Sequence, residues 1–162
     1  MKRLIACLLL AVSLFGLVAC SNKPADVQKE EKNVTVDIAA VKEQILQDVE
    51  IVEPMDLTTE RACVAYYLDA NDVKNSACMI AMGSVFPEEM LMFEATSEEA
   101  AKRIAEKLEV KLQDLLNQSA NYDADTNAIL KECKVVIVGN YVNLFIHAES
   151  AQMREIFNAA IK

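Results

Sequence analysis

The stretch KVVIVGNYVNLFIH, residues 134–147, decides how this chain folds. Two β-branched apolar runs flank Gly139-Asn140, and a two-residue connection between strands needs a positive φ that glycine adopts at no steric cost. The pattern predicts a β-hairpin. Beyond the turn, Val142, Leu144 and Ile146 alternate with Tyr141, Asn143 and His147, the period of two expected of a strand.

Working outward, Ser150 is expected to cap a last helix that turns Met153, Ile156, Phe157 and Ala160 inward. On the N-terminal side, Thr96-x-x-Glu99 has the spacing of a capping box. After it, Ala101, Ile104, Ala105, Leu108, Leu112, Leu115 and Leu116 share one helical face, so a helix of roughly 22 residues, about 33 Å long, should cross a sheet. Ala77–Met82 and Met90–Ala95 read as a second hairpin with a wider connection. Earlier still, Asp37 can cap a helix carrying Ile38, Val41, Ile45 and Val49, a region that Pro54 closes. A shorter helix is expected from Thr59 to Tyr67, before the turn-forming Asp69-Ala70-Asn71-Asp72. The order ααββαββα predicts an α+β two-layer sandwich, an antiparallel sheet of two hairpins with helices on one face.

The first residues are of another kind. Lys2 and Arg3 precede an uncharged apolar run from Leu4 to Ala19. That run is shorter than the roughly 20 residues a span requires, and it has the shape of a signal peptide. Leu17-Val18-Ala19-Cys20 resembles the lipobox of bacterial lipoproteins, which implies cleavage before Cys20 and a diacylglyceryl group on its sulfur. Two acyl chains, at about 0.8 kcal/mol per buried CH₂, hold a protein to a bilayer stably. Residues 1–19 are thus expected to be a signal peptide, 20–35 a polar, flexible stalk, and 36–162 a single domain on the extracytoplasmic face of the cell membrane.

Charge narrows the partners. The chain has 16 basic and 25 acidic residues; without residues 1–19 it has 14 and 25, a formal charge of −11. Phosphate backbones repel such a domain, so nucleic acid is excluded as a partner.

The apparent lipobox, the charged stalk, FPEEMLMFEA before the long helix, and NYDADTNAILKECKVVIVGNYVNLFI before a terminal helix together resemble the DUF4358 family, small lipoproteins found mainly in Firmicutes whose biochemical role is not assigned. Tyr122 and the GNY at 139–141 are the most specific pieces. These motifs are structural in kind, so the resemblance implies no catalytic or binding residue. The cysteines are where this chain departs from what such a domain is expected to hold.

With Cys7 removed and Cys20 lipidated, Cys63, Cys78 and Cys133 remain. Three buried apolar thiols is the preferred reading, and one disulfide with one free thiol the alternative. Asp123-x-Asp125-x-Asn127 imitates the start of a calcium loop, but Ala128 and Lys134 stand where that loop needs Gly and a bidentate Glu, so a capping turn is preferred. His147 has no partner in sequence for base or metal chemistry. Glu88-Glu89 and Glu98-Glu99 read as solvated faces, and Met79, Met82, Met90 and Met92 as core. No cofactor, metal or catalytic residue is assigned. The expected function is noncatalytic recognition of a protein, peptide or envelope component, through a sheet edge or the loop Val85 to Glu89, by a monomer. An accessory solute-binding lipoprotein is the alternative, and an unrecognised hydrolase built around His147 comes third.

Overall fold

A computed structural model describes residues 34–83, 86–121 and 123–162. The expected signal peptide, Cys20, most of the stalk, Tyr122 and part of the Val85 to Glu89 loop lie outside the described residues.

Among the described residues five strands form one antiparallel sheet: β1 (Pro54–Leu57), β2 (Val73–Ala81), β3 (Glu89–Ala95), β4 (Val135–Val138) and β5 (Tyr141–Ile146), in the order β1-β2-β3-β5-β4. Five helices accompany them there: α1 (Ile38–Asp48), α2 (Thr59–Ala65), α3 (Glu98–Ser119), α4 (Ala124–Glu132) and α5 (Ser150–Ala159), with a 3₁₀ turn at Ala70–Asp72. The fold is α+β, as the patterning predicts. The hairpin of β4 and β5 turns on Gly139 at φ +57°, where an added Cβ would also press on the Val34 side chain at 3.2 Å. Asp37 caps α1 by accepting from the Ala40 N–H at 3.0 Å.

The sequence reading missed two elements. Pro54 opens β1 instead of merely closing the region before it; Pro is tolerated there because β1 is an edge strand. Asp123 opens α4, its carboxylate accepting from the Thr126 N–H at 2.9 Å. Two caps also differ. Ser97, one residue beyond Thr96, caps α3 by accepting from the Ala100 N–H, while the Thr96 hydroxyl donates to the Asn71 carbonyl. Ser150 is the first residue of α5, and its N-cap position holds Glu149.

The expectation of helices on one face is corrected by the burial pattern. Cys78, Leu91, Phe93, Val142, Leu144 and Ile146 pack under α2, α3 and α4. Ala77, Met79, Met90, Met92, Tyr141 and Phe145 point the other way and pack under α1 and α5. Helices cover both faces, and every residue of β5 is buried. Tyr141, Asn143 and His147 alternate with aliphatic residues yet are buried, because the flexible thioethers of Met79, Met90 and Met92 fill the space on that face.

The backbone of Thr35 exchanges hydrogen bonds with Lys162 at 3.2 and 3.1 Å, and Val34 lies against Gly139. The described chain therefore enters at the β4–β5 turn, the end of the sheet opposite His147.

Candidate functional site

The strongest candidate begins where α2 ends. The Leu68 N–H bonds back to the Cys63 carbonyl at 2.9 Å and the Tyr67 N–H to Val64 at 3.4 Å, the pairing that closes a helix through a residue of left-handed backbone. Glycine is favoured there, yet the residue is Tyr67, at φ +55°. A bulky side chain in that region costs about 1 kcal/mol. The ring is also 82 % exposed, so burial within the described chain does not offset the cost.

Tyr67 stands over a trough between α3 and the segment that follows α2. Two adjoining hollows of about 270 and 220 Å³ share Tyr67 and Lys107. Exposed Val110 adds apolar surface to the second hollow. Arg103, Lys107 and Lys111 follow one another at four-residue spacing along α3, which sets them on one face. Arg103 is held by Asp72, and Lys111 by Glu89 at 2.8 Å. Lys107, between them, has no ion pair among the described residues. Asp69, Asp72, Glu106 and Asp114 also border the trough.

One wall is rigid. The Tyr66 hydroxyl donates to Glu89 at 3.1 Å, and the Lys111 ammonium lies 5.6 Å from the Tyr66 ring centroid. Burial, then the neighbouring Glu89 carboxylate, push the Tyr66 phenol well above its ordinary range.

The sequence-derived candidates fall elsewhere. Glu88 and Glu89 project to opposite faces of the sheet, Glu88 towards His147 and Glu89 towards Lys111. Both are largely enclosed, so the solvated-face reading fails for this pair. It failed because their partners are 59 and 22 residues away in sequence. Glu98 and Glu99 are exposed in the first turn of α3, where their charge favours the helix terminus. The Asp123 oxygens take the Thr126 N–H and hydroxyl, and Asn127 donates to Leu116 and Ser119, so these side chains serve the joint between α3 and α4. Met79, Met90 and Met92 are buried and Met82 is exposed.

His147 does acquire neighbours. It is buried; its Nδ1 accepts from the Glu149 N–H at 2.9 Å, and its Nε2 lies 3.8 Å from the Glu88 carboxylate. The His147 backbone N–H, the Ser150 hydroxyl and Arg154 bear on the thiol of Cys133 and favour its ionised form, but burial outweighs them and pushes the thiol up. The gap beside His147, bounded by Met79, Met90 and Met153, leaves no room for a water molecule. Cys63, Cys78 and Cys133 are free and buried, and burial pushes the Cys78 thiol up to about 12. Among the described residues no group of three His, Cys, Asp or Glu side chains could hold a metal ion.

A domain-family model, described as a domain of unknown function, DUF4358, matches residues 47–147. The chain belongs to the DUF4358 family. The match takes in both hairpins, α2, α3, α4 and the whole Tyr67 trough; α1 up to Leu46, and α5, lie outside it. No curated protein and no solved structure matches this chain. The DUF4358 match therefore adds the family, and the trough is read from its own chemistry. Sequence reasoning missed Tyr67 because nothing in YYLDAND marks which residue takes the left-handed position when no glycine is available.

Proposed function

We propose that this DUF4358 chain is a noncatalytic lipoprotein, anchored through a diacylglyceryl group on Cys20 at the extracytoplasmic face of the cell membrane, which recognises a protein or peptide along the Tyr67 trough. The observation that carries the reading is Tyr67 itself: an exposed aromatic ring in a backbone conformation that disfavours it, set over an open groove. Backbone strain of this kind collects at ligand-binding and active sites. Tyrosine gives a large amphipathic contact at small entropic cost, the usual character of an interface anchor.

Other features agree. Each of the trough's two hollows, about 270 and 220 Å³, is smaller than the sites of roughly 300–1,000 Å³ that enclose a small-molecule ligand. A larger groove of about 420 Å³ between α1 and α5 is lined by Ala40, Ala159 and Ala160 and has no aromatic residue. The cluster at His147 has a nucleophile and a base by composition, but burial disfavours its thiolate and a substrate has no room to enter. No helix of the described residues is long and apolar enough to cross a membrane. A formal charge of −11 after processing favours a partner other than nucleic acid.

Two measurements test the reading. Mass spectrometry of the membrane-extracted chain should find Cys20 at the N-terminus carrying the diacylglyceryl mass; an unmodified thiol or a retained leader contradicts the anchor. Affinity capture from detergent-solubilised membranes should recover one specific protein with the native chain and lose it with Lys107→Glu. Identical recovery with both contradicts the trough.

A further inference from the structure

The two edges of the sheet are finished differently, and the strand registers say how. The Met82 N–H bonds to the Glu53 carbonyl at 3.1 Å, which continues the β1–β2 ladder and sets its alternation: Met55 and Leu57 bond to β2, while Pro54 and Asp56 face outward. That edge is guarded. Pro54 has no N–H to offer, and Asp56 is charged and paired with Lys42 at 2.9 Å. On the opposite edge, the two-residue turn makes Val138 and Tyr141 a hydrogen-bonded pair, so Val136 bonds to Asn143 in the same way. The N–H and C=O groups of Val135 and Ile137 then point away from the sheet. They have no partner among the described residues. Val135–Val138 carries no charge and no proline, and Ile137 is 44 % exposed.

We propose that β4 is a self-association edge, at which two copies of this chain pair antiparallel about a two-fold axis at Val136 and join their sheets. The occupant follows from symmetry. Centred on Val136, Val135 of one copy faces the partner's Ile137 and the reverse, so four backbone hydrogen bonds satisfy every outward group of both strands. Lys134 meets the partner's Val138, so no like charges stand directly opposite. A second copy of this strand supplies the whole backbone match with no charged side chain set against another. Net charge opposes the pairing at long range, so association should strengthen as salt rises. The inference is independent of the Tyr67 trough, and it revises the monomer expected from sequence.

The test uses the full chain in membranes. Val136 would face the partner's Val136 as a non-hydrogen-bonded pair, the closest approach in an antiparallel ladder. Under mild oxidation Val136→Cys should give a disulfide-linked dimer on a non-reducing gel, several-fold more than Asp56→Cys at the guarded edge. Adding Ile137→Pro removes one outward donor but none of the bonds to β5, and should abolish that dimer while circular dichroism stays native. If Ile137→Pro does not fold, Val135→Pro removes the other outward donor and serves the same purpose. Dimer yields equal at both edges, a dimer that persists in folded Ile137→Pro or Val135→Pro, or an adduct with a different protein overturns the proposal.

Discussion

Lys111 of α3 and Glu89 of β3 are joined by an ion pair of 2.8 Å whose carboxylate is only 9 % exposed. Glu89 also accepts from Tyr66, so one buried carboxylate ties the long helix, the sheet and the end of α2 together. Lys111→Met should strand that charge. Breaking such a pair from one side costs roughly 3 kcal/mol. A urea-denaturation midpoint should fall accordingly, and Glu89→Gln added to Lys111→Met should recover much of the loss; additive losses would mean that the two residues are not coupled.

Asp72 receives two hydrogen bonds from Arg103, at 2.8 and 2.5 Å, which hold its carboxyl below the ordinary value of 3.8. A depressed folded value means that the unfolded chain binds the proton first. The contribution is therefore fully present above pH 4 and is lost as pH falls through the folded value. Asp72→Asn should lower stability at pH 7, and the gap from the native chain should close on acidification towards pH 2. Urea midpoints across this range check it; a gap that widens in acid contradicts it.

Tyr67→Gly should stabilise the domain by up to about 0.5 kcal/mol, because the relief of the Cβ clash at φ +55° is partly offset by glycine's greater freedom in the unfolded chain. The same change should weaken partner capture. A thermal midpoint raised by a few degrees together with lost capture would separate binding from folding in one variant. A lowered midpoint would show that the ring supports the fold.

Asn143 lies in the middle of β5 at 1 % exposure, between Met92 and Val136 on the neighbouring strands, and both ends of its amide lack a partner among the described residues. Burying an unpaired amide costs about 1–3 kcal/mol. Asn143→Leu, close in volume, should raise the urea midpoint by a comparable amount, and a decrease would mean that the amide has bonding that this arrangement does not show.

Local signals in this chain were readable and long-range ones were not. The turn at Gly139-Asn140, the Asp37 cap and the apolar stripe of α3 are each set by residues within a few positions of one another. The second helical layer was hidden because Met79, Met90 and Met92 form strands without the alternation that marks a half-buried face, and because Asn143 and His147 imitate solvent-facing positions. The trough was hidden for a different reason. Tyr67, Lys107 and Val110 are up to 43 residues apart in sequence, and they meet only through the closing bonds of α2 and the path of α3.

The claim that Tyr67 meets a partner is tested most directly by photo-crosslinking on intact cells. A photoreactive phenylalanine analogue at position 67 of the full-length chain should give one discrete adduct of higher mass, and the same group at exposed Glu43 of α1 should not. The adduct should disappear when Lys107→Glu is added. Equal labelling at positions 67 and 43, or an adduct indifferent to Lys107→Glu, would contradict the account.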